Sequence, residues 1–224
     1  MKKIINPMYV LSACLAVCCR TAAFGQDAGQ PEKDGQAGSH KVDDAAMMAK
    51  MMELAQPGSN HKTLERLVGH WSYKVKFWMD PTNTNMPPME STGTTVTKAA
   101  MDGRYFISEH KGQMQMPGPG GAMQDVAFNG MGIEGFDNVK GKFVASWIDN
   151  MGTGIMNMEG TFDPASDTLT YIADYEPMPG MKTKIRQTVT ITDNDHHTLA
   201  FFETRGSKEV KTMEIAYTRA HAGD

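Results

Sequence analysis

The chain has 224 residues, 40% of them hydrophobic, with 22 glycines, 11 prolines and a formal net charge of −4. That is room for one domain of moderate size plus appendages, with the turn formers that an all-β protein requires. The acidic balance argues against nucleic acid as a partner, and the cysteines (Cys14, Cys18 and Cys19) all lie near the N-terminus, leaving the rest without disulfides or thiol catalysis.

Residues 1–25 read as a signal peptide. Lys2 and Lys3 supply a positive start, Tyr9 to Cys19 is an apolar run of 11 residues, and Ala23-Phe24-Gly25 offers small residues for cleavage. Eleven apolar residues are too few to span a bilayer. The protein is therefore expected to be exported, periplasmic or secreted. The alternative is a lipoprotein: Leu11-Ser12-Ala13-Cys14 resembles a lipobox, and acylation at Cys14 would be the route to membrane contact. Without the leader the chain has 19 basic and 26 acidic residues, a net charge of −7.

Residues 26–42, rich in Gly, Gln, Asp and Lys, are expected to be a disordered linker. Residues 43–69 carry two short helices. Asp43-Asp44 caps the first, over Ala45 to Ala55, with Met47, Met48, Met51 and Met52 on one face. Gln56-Pro57-Gly58 stops it. Ser59 or Asn60 caps the second, which turns Leu64, Leu67 and Val68 inward and ends on Gly69.

From Trp71 the period changes from helical to alternating. Strands are predicted near 71–79, 91–99, 104–115, 125–136, 142–149, 153–162, 168–175, 182–192, 197–204 and 209–219. Turn formers such as Asp102-Gly103, Asp137-Asn138 and Asp193-Asn194-Asp195 separate most of them. Ten strands joined mostly by short turns imply antiparallel neighbours in chain order, and closing that meander removes two exposed edges. The expected fold is thus all-β: a closed or nearly closed up-and-down barrel of about ten strands over residues 70–220, preceded by the two helices. Two longer connections, Asp80 to Met89 and Met116 to Gly121, are expected to rim one mouth.

Alternation sorts the side chains of each strand into two faces. Phe143, Ala145, Trp147 and Asp149 share one, as do Tyr105, Ile107 and Glu109 on the third strand, and Met213, Ile215, Tyr217 and Arg219 on the last. A non-enzymatic barrel holding one small apolar or amphipathic ligand would use Trp147, Tyr105 and Tyr217 as its lining, with Asp149 or Glu109 to orient the ligand. An envelope enzyme would pair Asp149 with His196 or His197 as acid and base. A structural or interaction module would dock the Met-rich helix on a partner or on the barrel. No cofactor is required by any pattern. His110, His196 and His197 are the metal-ligand candidates: an inward imidazole suits haem iron, and His110 near Met114, Met116, Met123, Met156 and Met158 suits copper(I). The bland alternatives are turn-flanking histidines and methionines filling irregular space. Gly130-x-Gly132-x-x-Gly135 imitates a dinucleotide fingerprint but lies inside a strand, with no helix after it.

Gly69-x-Trp71 at the start of the first strand and Arg219 at the end of the last resemble the lipocalin and calycin pattern, in which a guanidinium covers an indole at the barrel base. Gly69, Trp71 and Arg219 are accordingly expected to close this barrel. Six stretches extend the resemblance: His61-Lys62-x-Leu64-x-x-Leu67-x-Gly69-x-Trp71, Pro88-Met89-Glu90-Ser91-x-Gly93, Gly132-x-x-Gly135-Phe136-Asp137, Trp147-x-Asp149-x-Met151-x-Thr153-Gly154-Ile155-Met156, Asp195-His196-His197 and Lys211-Thr212-Met213-Glu214-Ile215-x-Tyr217-x-Arg219. Together they resemble the bacterial domain of unknown function 1579 family over residues 57 to 219. The resemblance implies an exported calycin-like barrel and names no substrate.

Overall fold

A computed structural model describes residues 44–220 except Thr84, Pro119 and Gly120. The predicted leader and linker, with Cys14, lie outside the described residues. Two helices, α1 (Asp44–Leu54) and α2 (Ser59–Glu65), precede ten strands. These are β1 (Gly69–Phe77), β2 (Met89–Ala100), β3 (Tyr105–Pro117), β4 (Met123–Asp137), β5 (Lys142–Asp149), β6 (Met156–Asp163), β7 (Thr168–Tyr175), β8 (Thr183–Ile191), β9 (His196–Arg205) and β10 (Lys208–Arg219). Every consecutive pair is antiparallel, and β1 pairs with β10 to close the barrel. The ten strands thus follow the alternation in the sequence. The β2–β3 turn takes left-handed backbone at Met101, Asp102 and Gly103, as a tight reversal requires.

The meander fixes which connections share an end. The helices and the turns after β2, β4, β6 and β8 lie at the base. The long connections after β1 and β3 both lie at the other end, the mouth, as expected.

The helices behave differently from each other. Sequence placed the second cap at Ser59 or Asn60. Instead Gly58 is the cap residue, and its N–H donates to Nδ1 of His61, 3.0 Å away. His61 is buried against Phe136, and burial lowers its pKa, so the neutral ring that can accept this bond is favoured. The helix stops at Glu65 rather than running to Gly69, and Leu64 is fully buried in the barrel core with Leu67 and Val68 packed beside it. In contrast, α1 buries nothing: Met47, Met48, Met51 and Met52 are all about half exposed or more. Its C-terminal end is held by polar clips, Asn138 Nδ2 to the carbonyls of Leu54 and Gln56 and Arg104 Nε to that of Ala55.

The base is built on Trp71, which is 2% exposed. Register places it opposite Arg219 across the β1–β10 seam. The guanidinium lies 4.0 Å from the indole ring centre, and the indole N–H donates to the Leu67 carbonyl at 2.9 Å. Arg219 does more than the cation–π contact read from sequence. It donates to the carbonyls of Val68, Arg66 and Asn194 at 2.7, 3.0 and 2.7 Å, tying the α2–β1 connection and the β8–β9 turn to the last strand. Gly69 is required here: its φ is +138°, and a Cβ on it would meet the Arg219 guanidinium at 2.3 Å. Arg66 and Asp167 add a two-pronged ion pair between the α2–β1 connection and the β6–β7 turn.

Two outcomes follow. Trp71→Ala should lower stability by about 3–5 kcal/mol, and Arg219→Ala by about 2–3 kcal/mol, because it strands three carbonyls as well as uncovering the ring; chemical denaturation of both variants measures this. Deleting residues 44–52 should leave the melting temperature within a few degrees of the parent by calorimetry, since that part of α1 covers no core.

Candidate functional site

The inner wall is assembled by alternation, and β3 shows where the sequence reading chose the wrong face. Phe106, Ser108 and His110 point inward, while Tyr105 and Glu109 lie on the outer face. Tyr105 is 43% exposed and covers Gly135 from outside. Neither belongs to the interior site. Of the five residues expected to contact a ligand, Trp147, Asp149 and Tyr217 line the interior. It is a cavity of about 960 Å³, running from Leu64, Leu67 and Trp71 at the base to Met151–Met156 and Tyr175–Pro177 at the mouth.

Trp147 projects inward from β5 and lies across Gly130 and Gly132 of β4. A Cβ at either glycine would come within 3.6 Å of the indole, and at Gly130 within 2.6 Å. These glycines make room for a ring rather than a phosphate, which is the physical meaning of the glycine pattern in β4. The indole N–H donates to Asp149 Oδ2 at 2.7 Å, and Asp149 Oδ1 accepts the Met151 N–H, so one carboxylate fixes the ring and the loop that follows. Tyr73 uses the same device on the other side. It lies over Gly93 and Gly112, and its hydroxyl donates to the Lys111 carbonyl.

These rings form a continuous line. His197 stacks on Tyr217 with ring centres 4.3 Å apart and meets Trp71 edge-on at the same distance. Tyr217 adjoins Tyr73 and His110, and His110 stands edge-on to Trp147 at 4.9 Å. Nδ1 of His110 is 2.8 Å from Thr95 Oγ1. On β8, Ile185 and Val189 line the cavity with the buried amide of Gln187 between them, backed by Leu169 and Ala173 of β7 in the core.

Burial sets the protonation states inside. It depresses His110 to about 4 and His197 to about 3, with Arg219 adding to the shift of His197, so both rings are neutral at pH 7. It raises the Glu134 carboxyl to about 7. Burial also raises the Tyr217 and Tyr171 phenols, and the nearby Glu134 carboxylate adds to both shifts. Glu134 was not anticipated, although the signal existed: Phe128, Gly130, Gly132, Glu134 and Phe136 alternate on one face. Among the described residues, Nδ1 of His197 and the hydroxyl of Tyr171 are buried with no hydrogen-bond partner.

The other candidates separate. Asp149 ends β5 at the mouth, whereas His196 and His197 begin β9 at the base, so they form no acid–base pair. His196 also faces outward, with its ring bonded to Asp193. Met158 is in the core, and Met116 and Met123 are exposed on the β3–β4 hairpin, so these methionines do not surround His110. Among the described residues no group of three or more His, Cys, Asp or Glu is placed to hold a metal ion. No described helix is long and apolar enough to cross a membrane.

The profile of the protein family described as "Protein of unknown function (DUF1579)" matches residues 56–219, and the chain belongs to that family. No curated protein matches it. Among solved structures, Rv2717c from M. tuberculosis is similar, at 12% identity and a TM-score of 0.51 over 74% of this chain and all of that one. The S-type phycobiliprotein lyase CPES from Guillardia theta gives a TM-score of 0.44 at 11% identity, over 77% of this chain and 97% of that one. The first likeness shows the barrel fold alone.

The raised carboxyl makes stability depend on pH in a definite direction. Below pH about 4.5 Glu134 is protonated folded or unfolded. Between about 4.5 and about 7 the unfolded chain ionises while the folded carboxyl stays protonated, so stability falls as pH rises and then levels. Glu134→Gln removes that loss. The variant should melt close to the parent at pH 4.5 and clearly above it at pH 8; equal gaps at both would mean that Glu134 is not desolvated.

Proposed function

We propose that this barrel is a non-enzymatic binding protein that takes one small apolar or amphipathic molecule in the cell envelope. The observation that carries the reading is the interior: a cavity of about 960 Å³ that a packed core would have filled, closed at the base by α2 and Trp71 and bounded at the mouth by loops. That volume suits a ligand of drug or short-lipid size. Trp147 and Tyr217 supply rigid apolar surface, and Asp149 holds Trp147 in place rather than meeting the ligand through a free carboxylate. Trp147 rests on Gly130 and Gly132, and Tyr73 on Gly93 and Gly112, so these rings are fixed before a ligand arrives, which limits the entropy cost of binding. The leader read from the sequence supports an exported location.

The mouth fits this role. Met79, Met86, Met123, Met151, Met178 and Met181 are exposed on strands and connections at that end. Unbranched thioether side chains adapt to different shapes and give an apolar approach to the cavity.

Fluorescent lipophile titration tests the reading. The parent should bind in a saturable, one-to-one fashion. Val75→Trp, which fills the cavity from β1, should weaken binding at least tenfold. Ile133→Trp, on the outer wall, should leave it unchanged. Equal binding by all three proteins would place the probe on the surface and remove the proposal.

A further inference from the structure

We infer that the cavity selects an amphiphile with a cationic ammonium head, bound at the base by Glu134 and the neighbouring rings, with its tail toward the mouth. This rests on the reading of the barrel as an amphiphile-binding protein and adds the sign of the ligand's charge.

The lining is one-sided in charge. Among the described lining residues it includes the carboxylates Glu134, Asp149, Asp174, Glu176 and Glu203 and no lysine or arginine; the guanidinium of Arg219 lies behind Trp71 with its donors turned to the carbonyls of Val68, Arg66 and Asn194. Four of these stand toward the mouth and are engaged: Asp149 by Trp147, Asp174 by Lys184, Glu176 by the Gly180 N–H, and Glu203 near Arg205. Glu134 is different. It sits three residues from the base end of β4, and no cation among the described residues is paired with it. A half-buried carboxyl inside the barrel without a counter-ion is costly when ionised, and an incoming ammonium lowers that cost.

The groups beside it suit the same head. Tyr217 and Tyr171 both feel the Glu134 charge, and Trp147 stands two residues along β5 from Ala145, the register partner of Glu134. Aromatic faces carry negative potential and attract ammonium ions, most strongly when desolvated. His197 lines the same base, is 8% exposed and keeps Nδ1 unpartnered. As a neutral ring it offers a lone pair to an N–H donor and brings no repelling charge. An anionic head would meet a carboxyl and only neutral imidazoles, with no lysine or arginine among the described lining residues. A neutral head would gain nothing from the Glu134 charge. Leu199 and Phe201 continue up β9 as apolar surface for the tail.

The test uses the full chain and three probes of equal tail length, decylammonium, decanol and decanoate, competed below their micelle-forming concentrations against a bound fluorescent lipophile at pH 8. The cation should displace the lipophile at a concentration at least tenfold lower than decanol, with decanoate weakest. In Glu134→Gln the cation and decanol should displace the lipophile at similar concentrations. Decanol binding as tightly as the cation, or a Gln variant that keeps the preference, overturns the inference but leaves the binding role standing. Displacement by none of the three overturns both. The ranking on the parent protein decides the matter even if the variant does not fold.

Discussion

The closure of β1 on β10 is the constraint on which the rest depends. A ten-stranded meander left open would expose unpaired N–H and C=O groups along two edges, and its inner face would be open to water. The seam pairs those edges, and Arg219 fastens it at the base. The same residue covers Trp71, satisfies carbonyls before β1 and after β8, and lowers the pKa of His197. One side chain therefore joins structural closure to the electrostatics of the cavity floor.

A second feature organises the interior: three large inward rings are matched by glycines on nearby strands. Trp147 has Gly130 and Gly132, Tyr73 has Gly93 and Gly112, and Tyr171 lies against Gly160. These three rings lie against the wall over their glycines. Rings held there leave open volume, whereas rings that met across the axis would have made a solid core. The cavity is in this sense a product of glycine placement as much as of barrel diameter.

Much of this was legible in the sequence, for physical reasons. Period-two alternation and turn chemistry located all ten strands, and the Trp71–Arg219 pair located the base. The choice between faces was harder. On β3, Tyr105, Ile107 and Glu109 look as suitable for an interior as Phe106, Ser108 and His110, because each set holds one aromatic and one polar end. Only the register with β4 settles it. Glu134 was hidden because a carboxylate in a glycine-rich strand reads as solvent-facing. The histidine cap of α2 was hidden because Ser59 and Asn60 are better cap formers than the Gly58 that holds the position. The Met face of α1 has helical spacing, yet spacing alone does not distinguish a buried stripe from an exposed one.

The order of strands also sets an order of assembly. Nine of the ten pairings join strands consecutive in sequence, so hairpins can form locally as the chain is synthesised. The tenth brings together segments such as Val68 and Arg219, 151 residues apart. It cannot form until translation has delivered β10. Until then the growing sheet keeps the edge of β1 open and the indole of Trp71 without its guanidinium. The final strand is thus the molecule's completion signal, and a chain released before Arg219 retains the hairpins but not the seam.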